Sequence, residues 1–276
     1  VPASGKNRLK AMVEDRPDWV LSRQRRWGVP MTVFCDADGT VLVDDLANAK
    51  VLEAFKAEGA DAWFEPSAKE RFLGHRQDRD RWHLVSDILD VWFDSGCSHA
   101  FTLEGDRGLQ TPADVYVEGS DQHRGWFQSS LLESCATRGR APYKAVVTHG
   151  FVMDERGMKM AKSKGNGVKP QDIVQKFGAD VLRLWVLYAD YREDVRVGPK
   201  LLQATQDSFR KLRNTLRWMS GMVSHSSENG LTLEEYPELE RLMLHRLYEL
   251  DQVVRESYDQ FDFKRVVRVL AEFMNL

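Results

Sequence analysis

The spacing of apolar residues gives the chain two textures. In its middle, short apolar runs flank a helical stretch. Asp114-Val115-Tyr116-Val117 and Lys144-Ala145-Val146-Val147-Thr148 read as strands. Between them His123 to Thr137 reads as a helix with Phe127, Ser130, Leu131 and Ser134 on one side. Strand, helix, strand implies a parallel sheet with a right-handed crossover. From Pro199 the texture changes. Leu202, Thr205, Phe209, Leu212, Leu216, Met219 and Val223 recur at steps of three and four, the pattern of one long amphipathic helix. Ser224 to Gly230 is a polar linker. Glu238 to Tyr258 then repeats the spacing with Met243, Leu247, Leu250 and Val254, and Phe263 to the end is helical.

The first ninety residues are more broken. Leu9, Met12 and Val13 suggest a short helix, stopped near Pro17. Trp19-Val20-Leu21 predicts a short buried strand, followed by a turn carrying Arg23, Arg25 and Arg26, which are either solvated or matched to an anion such as a phosphate or a structural carboxylate. Residues 31–35 and 39–43 flank Asp36-Ala37-Asp38 and predict a hairpin. Asp44 to Glu58 predicts a helix with Leu46, Val51, Leu52 and Phe55 on its apolar side. Residues 71–81 mix both charge signs densely and read as a solvated linker. Further on, Val168 to Phe177 and Ala179 to Ala189 read as helices, the second with Leu182, Trp185 and Val186 inside.

Composition narrows this little: 42% hydrophobic and 29% charged residues are ordinary for a globular chain. A net charge of −3 supplies no global pull on nucleic acid, so any such contact needs local patches. Cys35, Cys97 and Cys135 lie far apart, which predicts no zinc site, no disulfide framework and a reducing, cytoplasmic setting. No apolar run of about 18 residues suggests a membrane span. There is no G-x-G-x-x-G and no P-loop, which disfavours a generic nucleotide-binding Rossmann protein.

The chemistry concentrates in two strings. Lys159-Met160-Ala161-Lys162-Ser163-Lys164-Gly165-Asn166 places three lysines in six positions ahead of a helix start at Pro170. A lysine run is most often a solvated face. Yet mobile ammonium groups on a glycine-bearing loop also suit a polyphosphate. The second string, Glu118-Gly119-Ser120-Asp121-Gln122-His123-Arg124-Gly125-Trp126, sits at a strand's carboxyl end, where open parallel sheets bind ligands. His149-Gly150 follows the next strand in the same way.

Together these strings resemble the lysine loop and the adenylate turn of the class I aminoacyl-tRNA synthetases, in the form typical of the isoleucyl-tRNA synthetases. Asp90-Val91-Trp92-Phe93-Asp94-Ser95-Gly96 and the Trp19–Pro30 segment resemble the same family. Ala161 stands where the family usually has Ser, while both motif lysines are in place. The resemblance implies the second half of a Rossmann-type α/β catalytic domain over residues 1–197, with a peripheral α+β insertion at about 31–86. It implies the start of an α-helical anticodon-binding bundle over 198–276. It also implies a piece of a longer protein whose editing domain precedes Val1. The family's His-x-Gly-His occurs nowhere among the seven histidines, so the piece alone is expected to be inactive.

The implied reaction joins isoleucine to ATP as isoleucyl-adenylate and passes it to tRNA(Ile), with ATP accompanied by Mg2+, in a monomeric parent. By resemblance Lys159 and Lys162 are catalytic. Glu118, Gly119, Asp121, Gln122, His149, Gly150, Lys162 and Ser163 bind ATP and the adenylate. Trp92 and Trp126 wall the amino-acid pocket, since a branched aliphatic side chain offers only shape and apolar contact. His75 and His83 lack partners at metal spacing. Arg210, Lys211, Arg213 and Arg217 either meet phosphates or solubilise a helix. The alternatives are a valyl- or leucyl-tRNA synthetase piece, or a non-catalytic tRNA-binding paralogue.

Overall fold

The computed structural model describes residues 2–16, 18–105, 108–160, 164–224 and 230–274. In chain order the elements are α1 (Ala3–Glu14), β1 (Ser22–Arg23), β2 (Phe34–Cys35), α2 (Asp45–Glu58), α3 (Ala68–Leu73), β3 (His83–Leu84) and β4 (Ile88–Leu89). There follow α4 (Val91–Gly96), α5 (Ser98–Leu103), β5 (Ala113–Gly119), α6 (Trp126–Arg138), β6 (Tyr143–His149) and β7 (Val152–Met153). The chain continues with α7 (Pro170–Phe177), α8 (Ala179–Tyr188), β8 (Val195–Arg196), α9 (Pro199–Val223), α10 (Glu238–Asp259) and α11 (Phe263–Met274). These residues form two compact units. One comprises Ala3–Tyr116 and Asp121–Val146; the other comprises Val1–Pro2, Val117–Ser120 and Val147–Leu276.

The first unit holds an apolar core that excludes water from Trp63, Ala68, Phe72 and Leu73. Trp63 packs against Phe34 with ring centroids 4.9 Å apart and stacks on Phe72 at 5.8 Å. Its indole N–H donates to the Val85 carbonyl at 2.8 Å, so the buried donor is satisfied. Asp44 caps α2 by accepting from the Ala47 amide at 2.9 Å. The buried face of α2 is Ala47, Val51 and Ala54, whereas Leu46 and Leu52 are exposed. The expected apolar side was thus rotated: small residues face the neighbouring aromatic rings because they let α2 approach them closely.

Residues 71–81 also differ from the solvated linker expected of them. Phe72 and Leu73 close the core through α3, and the charges around them fasten the unit. Arg76 donates to Asp44 at 2.8 Å and forks onto Asp78 at 2.8 and 2.9 Å. Arg81 donates to Asp36 at 2.7 Å. The expected hairpin is reduced to a tight turn, in which Asp36 accepts from the Asp38 and Thr40 amides, and a bridge from Cys35 to Val41. Its principal pairing is instead antiparallel, β2 with β3. Trp19-Val20-Leu21 is not a buried strand either, since Val20 is exposed. The strand lies one step later, at β1, and pairs antiparallel with β4.

β5 and β6 pair in a two-stranded sheet with α6 between them in sequence. A short 3-10 turn at Ser120–Arg124 precedes α6. The buried face of α6 is unusually polar: Phe127 is joined by Gln128, Ser129, Ser130, Glu133 and Ser134. Against it lie α4 and α5.

In the second unit β7 and β8 pair in parallel. Ile173, Val197 and Leu202 form a small core, with Trp185 and Leu182 packed on it. Val186, expected inside, is exposed, and Val181 takes the buried place. The long helix reads true as α9, but Leu202 and Thr205 are its buried residues, and Leu216, Met219 and Val223 are exposed. Among the described residues no helix is long and apolar enough to cross a membrane.

Candidate functional site

In the first unit both tryptophans of interest sit beside the turn into α6. Asp90 positions the first. Its carboxylate caps α4 through the Trp92 amide at 3.2 Å while accepting from Trp19 Nε1 at 2.9 Å and Arg23 at 2.7 Å. Of the two readings open for Arg23, this is the structural carboxylate. Trp92 is 42% exposed, so it is not a core residue. Its ring edge abuts Gly125, where a Cβ would lie 2.8 Å from the indole carbons. Trp126 follows directly. It stacks on Tyr116 with centroids 4.2 Å apart and planes within 8°, and its N–H donates to Ser98 Oγ at 2.8 Å. Gln122 accepts from the Trp126 amide at 3.0 Å and donates to Asp121 Oδ2 at 3.1 Å, which caps the start of α6 and orients that carboxylate.

In the second unit Glu118 Oε1 accepts from the Gly119 amide at 3.0 Å and stands 3.8 Å from His149 Nε2. Both side chains are about half exposed. His149 Nδ1 lies 2.8 Å from the Gly150 carbonyl. Gly150 itself is spoken for by the fold: an added Cβ would lie 2.6 Å from the Asp194 amide and press on the Glu193 carbonyl. Its missing side chain therefore admits the protein's own backbone.

Lys159 projects its ammonium over the Phe151 ring, 4.4 Å from the centroid. Lys162 and Ser163 lie outside the described residues, as does Ala161. The base of the lysine loop is clamped by a residue the sequence reading took only as part of a turn. Asp154 accepts from the Arg156 amide at 3.0 Å, the Met158 amide at 2.8 Å and Asn166 Nδ2 at 2.9 Å, tying the two ends of the loop together. These bonds, that from Asn166 foremost, hold its carboxyl below the usual carboxylate range. Glu155, next in sequence, accepts from the Lys200 amide at 3.3 Å at the start of α9. Their signal was the Asp-Glu-Arg-Gly run itself, since Asp favours bonding backbone amides two to four residues on. A cleft of about 560 Å3 lined by α8, α9 and Lys264 contains none of the expected site residues.

Comparison with known proteins places the chain in a family. The family model described as tRNA synthetases class I (I, L, M and V) matches residues 1–198. The chain belongs to the class I tRNA synthetases. Isoleucine–tRNA ligases of Mesorhizobium japonicum and Agrobacterium fabrum are each 63% identical to this synthetase chain, over 274 and 276 residues. The one from Brucella abortus is 61% identical over 276 residues. The chain is covered 99–100% in these matches and spans 28% of the length of each relative. Among solved structures, the Agrobacterium radiobacter K84 agnB2 LeuRS–tRNA–LeuAMS complex superposes with a TM-score of 0.68 at 18% identity, covering 97% of this chain and 38% of that one. Mycobacterium tuberculosis methionyl-tRNA synthetase with methionyl-adenylate gives 0.67 at 17% identity, covering 100% and 46%. These establish a class I synthetase fold with α/β content.

Proposed function

We propose that these residues are the adenylate-holding part of an isoleucine–tRNA ligase. The supporting observation is the 57–63% identity, along the whole chain, to proteins of that name. In this reading residues 1–197 are the second half of a Rossmann-type catalytic domain and 198–276 begin the anticodon-binding bundle. The full-length protein works as a cytoplasmic monomer on isoleucine, ATP and tRNA(Ile).

The isoleucine carboxylate attacks the α-phosphorus of ATP, and the bond to the β-phosphate oxygen breaks to release pyrophosphate. A hydroxyl at the 3′ end of tRNA then attacks the adenylate carbonyl and AMP leaves. No protein nucleophile is required, so positioning and charge stabilisation carry the rate. Trp92 and Trp126 flank the isoleucine side chain. Glu118, Gly119, Asp121 and Gln122, with His149 and Gly150, hold the adenylate by accepting from its hydroxyl and amino groups. Lys159 leaves the Phe151 ring for the departing pyrophosphate. An exposed cation–π contact stabilises by only ~0.5–1 kcal/mol, so a phosphate outbids it readily. Lys162 and Ser163 complete that arm. Among the described residues no three His, Cys, Asp or Glu side chains gather to hold a metal. A magnesium ion accompanying ATP would be held mostly by phosphate oxygens and water. Arg210, Lys211, Arg213 and Arg217 of α9 are candidates for tRNA phosphates. A valyl- or leucyl-specific pocket is the competing reading.

ATP–pyrophosphate exchange tests it. The full-length protein should exchange in response to isoleucine well above valine or leucine. The 276-residue piece, which has no His-x-Gly-His, should not exchange at all. Exchange led by another amino acid, or isoleucine-dependent exchange by the piece, would overturn the corresponding claim.

A further inference from the structure

The seam between α4 and α6 contains a carboxylic acid paired with no cation. Glu133 is 7% exposed, and both carboxyl oxygens are buried and lack a well-formed hydrogen bond, the weakly donating Cys97 thiol being the group that faces them. A buried charge in that condition is costly, whereas a neutral carboxyl costs far less. The obvious cation is engaged elsewhere: Arg138, one turn on, donates twice to Glu104 at 2.6 Å. The other groups facing Glu133 are Asp94 and Cys97 from the α4 side, and Tyr116 from β5. Asp94 repels a second negative charge, and the Cys97 thiol is pushed up to about 12 by burial and by Glu133. Burial, foremost, lifts the Glu133 carboxyl to about 7.

The contact across the seam is specific. Gly96, the last residue of α4, has no room for a side chain, because a Cβ there would overlap the Glu133 carboxyl. α4 also carries Trp92, one turn before Gly96, and α6 begins at Trp126. The Trp92 ring meets Gly125 at that same helix start. The distance between the two indoles is therefore set by how closely α4 lies on α6. An ionised Glu133 carboxyl would need water or a cation; both its oxygens are shut between the helices, Arg138 is bound to Glu104, and His99 of α5 turns Nδ1 to the Gly96 carbonyl at 2.8 Å, so the charge favours parting the helices.

We propose that Glu133 is a positioning residue for the amino-acid pocket: its uncharged carboxyl, seated against Gly96, fixes α4 on α6 and with it Trp92 against the turn into Trp126. This deepens the reading of the site as an isoleucine pocket and rests on it. Ionisation of Glu133 then weakens amino-acid binding ahead of the chemical step.

The test uses the full-length protein, its Glu133→Gln and Glu133→Ala variants, melting curves from about pH 4.5 upward, and exchange assays from about pH 6 to about pH 8, the window around the raised value. A carboxyl raised by folding loses its contribution as pH climbs from the unfolded value of 4.5 to the folded one of about 7, so wild-type melting temperature should fall over that range and level off above it. The isoleucine KM should rise by about tenfold across the same window, with kcat moving much less. Glu133→Gln, which keeps the shape and cannot ionise, should hold the low-pH KM throughout and flatten the melting profile. Glu133→Ala should raise KM at every pH. Parallel profiles for wild type and Glu133→Gln, or an unchanged KM in Glu133→Ala, overturn the proposal. If valine or leucine gives the same KM pattern in place of isoleucine, the positioning role stands and the isoleucine reading fails. The melting profiles report on the seam even if no amino acid drives exchange.

Discussion

The core around Trp63 and the seam between α4 and α6 solve opposite problems within one unit. Around Trp63 the buried groups are aromatic and aliphatic, and their two indole N–H groups are satisfied, Trp63 donating to the Val85 carbonyl and Trp82 to Asp78. Its charges stand at the rim in matched pairs. At the seam the buried groups are Glu133, His99, Ser130 and Ser134, and atoms of Glu133 and His99 lack partners. The first arrangement is what stability alone would choose. The second stores an unfavourable term, and such terms persist where they serve a site. Of the two, the costly seam is the one that carries Trp92 and Trp126.

The largest effect should come from the stable side of this contrast. Trp63→Ala removes a wholly buried indole and should cost ~3–5 kcal/mol, read as a shifted denaturant midpoint. In the full-length protein Lys159→Ala should slow isoleucine-dependent exchange by ~10²–10³-fold while leaving the melting temperature within a degree or so. An equal loss of stability and rate would instead make Lys159 structural.

The next prediction crosses the seam. Gly96→Ala forces a methyl into the Glu133 carboxyl and should destabilise by ~1–3 kcal/mol. Adding Glu133→Ala should return part of that loss, whereas simple additivity would deny the contact. The smallest effect concerns the rim. The Arg81 bond, first, and the Thr40 amide hold Asp36 below its ordinary range, and the Ala47 amide, first, and Arg76 do the same for Asp44. Carboxyls lowered by folding stabilise above their unfolded values and lose that contribution as pH falls through the folded ones. Melting temperature should therefore drop on acidification below about pH 4, and less so in Asp36→Asn.

How much of this was legible in the sequence follows the same division. The β5–α6–β6 order, the α2 span and the long α9 and α10 were readable, because period and length signal such elements directly. The side that α2 buries was not: Leu46 and Leu52 outrank Ala47 and Ala54 in hydrophobicity, and only the facing rings of Phe34 and Trp63 reverse the choice. Phe72 and Leu73 were hidden among charges, since a ladder of ion pairs and a solvated linker share one composition. Two-residue strands such as β1 and β2 carry too few side chains for alternation to register. At the proposed site, motif resemblance singled out Trp92, Trp126 and Glu118 as candidates. Asp90, Asp154 and Glu133 escaped it, because what they do depends on partners 71, 12 and about 37 residues away in sequence.

The most direct test of where the adenylate lies is a crystal structure of the full-length protein with a non-hydrolysable isoleucyl-adenylate analogue. The branched side chain should lie against Trp92 and Trp126, the ribose and adenine should meet Glu118 and His149, and the lysine arm should reach the phosphate side. An analogue bound away from Trp92, or one whose adenosine leaves Glu118 and His149 untouched, would contradict the account.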